Sequence, residues 1–387
     1  MSSYGPPILG SGVLGRLARP RNRLLTRTQY RLLDFFDTLP PALARAYSAM
    51  ARRLVGGYLY SIKVELNEAC TLRCKMCYVP GDRHELEFGL VKSLLDQVKG
   101  LGVRIELLGG EPLEYKSIAD LVCYAKFVTG SPLVSLYTNG LDASPEMSAQ
   151  LKSAGLDAAI VSLISHRPEV HDDFTGVPGS WQRTRQGILN LRSAGVKVYT
   201  FSAIHCYNAP DYQEIDRFVR SGLDARALFY QYIPQVPNDP LMIPPRTWHD
   251  IKHWVLYDAN PVHMDLVRKF FMLTGNACSG GNFVLTVKAD GSVQPCPFVS
   301  DLPLGNIRET DIWTIYRNRY RNTALAELKQ VPEECRDCSY SSVCGGGCRA
   351  GNRVLFGSYA RRDPRCLGPW HEPIDKRAVT DHVPCFF

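Results

Sequence analysis

Between Tyr58 and Tyr232, short aliphatic and β-branched runs alternate with stretches whose apolar positions recur every three to four residues. Tyr58–Asn67, Arg104–Leu108, Leu133–Thr138, Ala158–Leu163, Val196–Ala203 and Ala225–Tyr232 predict strands. Gly89–Lys99, Ser117–Val128, Pro145–Ala154, Ser180–Ala194 and Pro210–Ser221 predict helices that separate them. Strands alternating with helices imply parallel βα units with right-handed crossovers. Six such units predict an α/β fold, a partial (β/α)6 TIM-like barrel rather than the closed eight-stranded form. In parallel barrels the chemistry collects at the C-terminal ends of the strands.

Beyond Tyr232 the pattern changes. Pro240, Pro244 and Pro245, with helical stretches around them, mark residues 236–277 as a helical linker. Phe283–Val287 and Ser292–Val299 flank the turn Ala289-Asp290-Gly291, a strong hairpin signal that would bring Cys296 back towards Cys278. Gly345-Gly346-Gly347 permits close approach of chain segments between Cys344 and Cys348. No repeat or low-complexity tract occurs.

A length of 387 residues with 45% apolar content supports one large domain and a smaller one. No apolar run approaches the roughly 18 residues of a membrane span. Thirteen cysteines without a secretory signal point to a reducing cytoplasm in which thiolates serve metal. The net charge of +7 is concentrated at one end: residues 1–60 hold nine arginines against Asp34 and Asp37, and the remainder is balanced. Residues 1–57 therefore form a basic, helical N-terminal arm. A solvated helical face is its simplest reading, and an acidic substrate, a partner or a membrane surface are alternatives. An organellar transit peptide fits poorly, because Pro6-Pro7 spoils an amphipathic helix.

The chemistry is in the cysteines. Cys70-Thr71-Leu72-Arg73-Cys74-Lys75-Met76-Cys77 follows the first strand with C-x3-C-x2-C spacing. Three thiolates can hold three irons of a four-iron cluster and leave the fourth iron open. A zinc knuckle is the bland alternative, but structural zinc takes four ligands and no fourth Cys or His is near. Seven more cysteines, Cys278, Cys296, Cys335, Cys338, Cys344, Cys348 and Cys366, crowd the C-terminal third. They suit one filled cluster and three ligands for another, or a pair of zinc ribbons, or, less well, a disulfide scaffold. Two glycines in Gly109-Gly110-Glu111-Pro112 let the backbone approach a ligand, and Glu111 offers a carboxylate to an ammonium group. Taken alone, that segment is an ordinary turn.

The triplet resembles the radical S-adenosylmethionine (radical SAM) enzymes, and the seven later cysteines resemble the SPASM extension of one branch of them. The resemblance brackets residues 70 to 366. It implies a radical SAM partial barrel over residues 58–235 and a cysteine-rich auxiliary-cluster domain over 278–387. Cys70, Cys74 and Cys77 would hold a [4Fe-4S] cluster that binds S-adenosyl-L-methionine. Gly109, Gly110, Glu111 and Pro112 would hold the amino group of that coenzyme. Ser162 and Ser165 would meet its ribose and carboxylate, although many relatives carry an acid where this chain has Ile164. Met76 stands where an aromatic residue often lies against adenine. Thr138-Asn139-Gly140 would belong to the site's architecture. Two auxiliary iron–sulfur clusters are implied, one on Cys335, Cys338, Cys344 and Cys366, the other on Cys278, Cys296 and Cys348, with Cys385 a candidate fourth ligand. Cys123 reads as a small core residue, and Cys206 as structural or reactive near the site's mouth. Tyr230, Gln231, Tyr232, Glu65 and Asn67 end strands and read as structural; no acid–base residue stands out.

By the same resemblance, one electron cleaves the coenzyme to methionine and a 5′-deoxyadenosyl radical, which takes hydrogen from a substrate. The substrate expected first is a peptide or protein undergoing oxidative maturation. The short, helical arm does not read as a leader-binding domain. The second expectation is an acidic small molecule, such as a tetrapyrrole being oxidised or decarboxylated, which a basic arm would suit. A zinc-bound, non-catalytic interaction module is the third. An electron donor such as flavodoxin or ferredoxin is implied; nucleic acid is not.

Overall fold

The computed structural model describes residues 59–81, 84–248, 250–251, 278–338 and 345–367. The basic arm, most of the linker, Cys344 and Cys385 lie outside the described residues. The six expected strands are β1 (Ser61–Glu65), β2 (Arg104–Leu108), β3 (Val134–Thr138), β4 (Ala158–Ser162), β5 (Lys197–Ile204) and β6 (Arg226–Gln231). Each pairs in parallel with the next. The crossovers carry α1 (Phe88–Gln97), α2 (Ile118–Cys123), α3 (Pro145–Ser153), α4 (Pro168–Thr175), α5 (Ser180–Ser193) and α6 (Tyr212–Arg217). Both α2 and α6 run on into a π-helical turn, Tyr124–Val128 and Phe218–Gly222.

Among the crossover helices, only α4 lies where the pattern predicts no helix. Its eight residues hold Val170 and Phe174 as their sole large aliphatic or phenyl side chains, too few for a period to be visible. Its bounds are local signals: Pro168 in the first turn and Gly176 in the left-handed conformation at the end.

Strand alternation sorts the barrel. Ile62, Val64 and Leu66 of the first strand segment join Ile105, Leu107, Val134, Leu136, Ala159 and Val161 on the outer face. There they pack against Val91, Leu94 and Leu95 of α1 and Ile188 and Leu191 of α5. Each buried aliphatic side chain contributes about 2 kcal/mol. The opposite set, Ser61, Lys63, Glu65 and Asn67, faces inward and is equally buried. Its charges are paired across strands: Lys63 Nζ lies 2.7 Å from Glu106 Oε2, and Ser61 and Tyr137 donate to the same carboxylate.

The C-terminal region continues this sheet. β7 (Val284–Val287) pairs in parallel with β1, and β8 (Ser292–Gln294) and β9 (Gly305–Asn306) follow antiparallel. The strand order is β6-β5-β4-β3-β2-β1-β7-β8-β9. The expected hairpin is present, but its second strand stops at Gln294. Pro295 and Pro297 follow and cannot donate to a ladder. The remaining helices are α7 (Ile312–Asn318), α8 (Thr323–Lys329) and α9 (Arg349–Phe356). Trp313 Nε1 donates to Gln97 O at 2.7 Å, fixing α7 to α1. No described helix is long and apolar enough to cross a membrane.

Candidate functional site

The Cys70–Cys77 loop leaves the C-terminal end of β1 and is held from three directions. Arg73 N donates to Thr175 O at 2.8 Å and Lys75 N to Phe174 O at 3.0 Å, tying the loop to the end of α4. Thr71 donates through its backbone N and its Oγ1 to Glu114 Oε1, at 2.9 and 2.8 Å. Gly110 N and Glu111 N donate to Asn67 O and Ala69 O, both at 2.7 Å. Burial pushes the Cys70 thiol up to about 11 and the Cys74 thiol up to about 12, and the neighbouring thiols add to both shifts. Thiols that oppose one another's ionisation in this way form a donor set that a bound cation or metal cluster relieves. Asn139 Nδ2 also reaches Cys70 Sγ at 3.7 Å. Among the described residues, no three Cys, His, Asp or Glu side chains are gathered closely enough for a single ion.

At the Gly109–Pro112 segment the two glycines pack closely on the chain itself. A Cβ on Gly110 would stand 2.2 Å from Ala69 O, and one on Gly109 2.6 Å from Asn67 O. These glycines make room for the chain entering the cysteine loop. Gly109 also has φ +154°. The Glu111 carboxylate is buried and accepts from Leu113 N (2.9 Å), Thr138 Oγ1 (2.6 Å) and Asn139 N (2.7 Å). It thereby joins the end of β2 to the end of β3. Burial raises its pKa to about 7 despite those donors. Pro112 opens the short 3-10 turn that follows.

Ser162 is half-buried at the end of β4. Ser165 is fully buried, and its Oγ accepts from Arg167 N at 3.1 Å. Met76 packs against Ile164, Phe174, Tyr232 and Leu241 beneath the loop. Cys123 corrects the expectation of a core residue: Leu121, Val122 and Ala125 take the buried positions of that turn, and Cys123 faces outward. Cys206 is exposed just past β5, next to the buried His205.

Three cysteines of the second set share one apolar cluster. Cys278, Cys296 and Cys348 belong to one packed cluster with Val299, Leu302 and Leu325. Burial pushes the Cys296 thiol up to about 12, with Cys278 adding, and raises Cys348 further, with Cys296 among its neighbours. Cys335, Cys338 and Cys366 are not among the residues of that cluster; Cys338 N donates to Cys335 O at 3.2 Å and Cys366 N to Asp363 O at 3.0 Å. Gly346 and Gly347, at φ +95° and +84°, admit Pro332 and Asp363, which a Cβ would meet at 2.6 and 2.3 Å. Asp363 Oδ2 then accepts from Cys348 N at 3.0 Å.

Several residues at the site escaped the sequence reading. Tyr78 follows Cys77, and its ring lies edge-on to Phe298 at 4.8 Å, two residues from Cys296. Its hydroxyl faces Glu65, which pairs with Lys288 at 2.8 Å. Tyr78 and this ion pair join the first cysteine loop to the second set. Strict alternation over Ser61–Asn67 was the available signal for an inward polar row. His171 and His205 are both buried, and burial lowers them to about 4 and about 3. His205 stacks on Phe174 with ring centroids 4.0 Å apart.

A model of the radical SAM superfamily matches residues 64–221, and a model of the SPASM iron–sulfur cluster-binding domain matches residues 278–339. The chain is 28% identical over 341 residues to an AdoMet-dependent heme synthase of Methanosarcina barkeri, covering 78% of this chain and 95% of that protein. It is 26% identical over 345 residues to a PqqA peptide cyclase of Xanthomonas axonopodis pv. citri, covering 81% and 89%. The crystal structure of Streptococcus suis SuiB bound to the precursor peptide SuiA shares the fold, with TM-score 0.63 and 17% identity over 80% of this chain and 76% of that one. The chain belongs to the radical SAM enzymes that carry a C-terminal SPASM domain, and its cofactors are S-adenosylmethionine, the four-iron cluster that binds it, and auxiliary iron–sulfur clusters.

Proposed function

We propose that this enzyme oxidatively modifies a residue of a peptide or protein. The carrying observation is the charge balance of the barrel interior. Lys63 is paired with Glu106, Lys288 with Glu65, and Arg365, beside β6, with Asp363 at 2.9 Å. No surplus of positive charge follows from these three pairs, whereas a buried polycarboxylate needs one. Alternation puts Tyr199, Phe201 and Tyr230 on the inner face of β5 and β6, half-buried, with Phe201 and Tyr230 stacked at 4.5 Å. Such a wall suits an aromatic or aliphatic side chain.

Cys70, Cys74 and Cys77 would hold the cluster at the open end of β1. Cys278, Cys296 and Cys348 would hold a second, and Cys335, Cys338 and Cys366, with Cys344, a third. The cluster, when bound with its coenzyme, supplies a 5′-deoxyadenosyl radical on one-electron reduction. The protein's own part is positional. Thr71, Arg73 and Lys75 hold the thiols through Glu114 and α4, and Glu111 fixes the ends of β2 and β3 beside them.

A second reading, a tetrapyrrole-modifying enzyme, is supported by the similarity to the AdoMet-dependent heme synthase of Methanosarcina barkeri. The two separate in one assay. Reconstituted enzyme, S-adenosylmethionine and dithionite are incubated with small peptides encoded beside its gene, or with an iron porphyrin. Stimulated deoxyadenosine release with loss of two hydrogens from a peptide supports the first reading. Turnover of the porphyrin alone overturns it.

A further inference from the structure

Lys329 ends α8, and its ammonium is buried beside Cys278 of the second cysteine set. Nζ donates to Cys278 O at 2.8 Å and also to Gly280 O. Among the described residues no carboxylate pairs with it. The charged groups that face it are Cys278, Cys296, Arg319 and Arg349. The two arginines are buried and are likewise seated on carbonyls: Arg319 Nε donates to Gly281 O at 2.6 Å and Arg349 Nη1 to Tyr359 O at 3.1 Å. A buried ammonium thus lies beside the Cys278 and Cys296 thiols. A cation held out of water is costly unless an anion completes its surroundings. Carbonyl dipoles orient such cations but carry no net charge. A thiolate-ligated iron–sulfur cluster is an anion of the right chemistry, and nearby charge is one of the factors that set its potential.

We infer that Lys329 is the inward-facing counter-cation of the auxiliary cluster at Cys278, Cys296 and Cys348, a positioning residue that holds the cluster's potential up by favouring its reduced, more negative form. The inference rests on the ligand set proposed above. Lys63 and Lys288 also act on Cys296, but each has its own carboxylate, so their fields are largely offset. Lys329 has none among the described residues, so its removal should register more than that of Lys63 or Lys288.

The test is a redox titration of the anaerobically reconstituted full chain, followed by electron paramagnetic resonance, for wild type, Lys329→Met and Lys329→Arg. The expected result is a more negative midpoint for one auxiliary signal in Lys329→Met, a midpoint near wild type in Lys329→Arg, and an unchanged signal from the Cys70–Cys77 cluster in both. Loss of auxiliary iron in Lys329→Met that Lys329→Arg restores supports the same role. An unchanged midpoint in Lys329→Met, or equal displacement or iron loss in both variants, overturns it. Wild-type protein that takes up iron only at the Cys70–Cys77 loop overturns the ligand set itself, a failure visible before any substitution is made.

Discussion

The ion pair of Glu65 and Lys288 is the clearest case of a residue-level contact with consequences beyond itself. Both side chains are nearly inaccessible, and Tyr78 closes over them with Lys288 Nζ 5.0 Å from its ring centre. Removing one partner strands a buried charge, which costs about 3–5 kcal/mol, whereas removing both costs much less. Lys288→Met should therefore lower the urea midpoint sharply, and Glu65→Leu with Lys288→Met should recover most of the loss. Additive losses in the double variant would contradict a coupled pair. The two buried histidines make a pH prediction. Each is neutral in the folded chain, with pKa lowered to about 4 for His171 and about 3 for His205. The unfolded chain binds protons near 6.5 that the folded chain refuses, so stability falls as pH drops from about 6.5 towards 4. Replacing His205 with Gln should flatten that slope in stability measured against pH, and an unaltered slope would show that His205 titrates freely.

At the scale of elements, the end of β2 is built to receive the cysteine loop. Gly110→Ala would drive a Cβ into Ala69 O at 2.2 Å, backbone against backbone, so the loop must move. The expected outcome is loss of the iron bound at Cys70, Cys74 and Cys77, with iron elsewhere retained, measured as iron per chain after reconstitution. Full loading would contradict this account of the glycine. That contact also shows where sequence reading stopped. The spacing Gly109-Gly110-Glu111 announced a close approach, yet the approaching group is the chain's own Asn67–Ala69 segment. Which partner arrives is a tertiary fact that no local pattern encodes. The strands and long helices were legible because their periods repeat. By contrast, α4 was hidden because eight residues with two large aliphatic or phenyl side chains display no period. The hairpin after Phe283 was legible from its turn. Its parallel pairing with β1, from Ser61↔Val284 to Val64↔Val287, was not, because a strand's sequence does not name its neighbour.

Over the whole molecule, two cysteine sets far apart in sequence are carried on one nine-stranded sheet. β1 leads into the first set and β7 and β8 into the second, with Tyr78, Phe298 and the Glu65–Lys288 pair between them. Cysteine spacing made both sets readable in advance, whereas the pairing of inward charges, which bears most on the substrate, appeared only once the strands were aligned. The central claim is that the loop at Cys70, Cys74 and Cys77 holds the cluster that activates S-adenosylmethionine, while the second set holds separate clusters. It is tested most directly by reconstituting the variant with Cys70, Cys74 and Cys77 all replaced by Ala, then measuring iron and dithionite-dependent 5′-deoxyadenosine beside wild type. The account predicts that the variant loses about one four-iron complement, keeps the auxiliary iron and releases no deoxyadenosine. A variant that still cleaves the coenzyme, or a wild type that binds no iron and releases none, would contradict it.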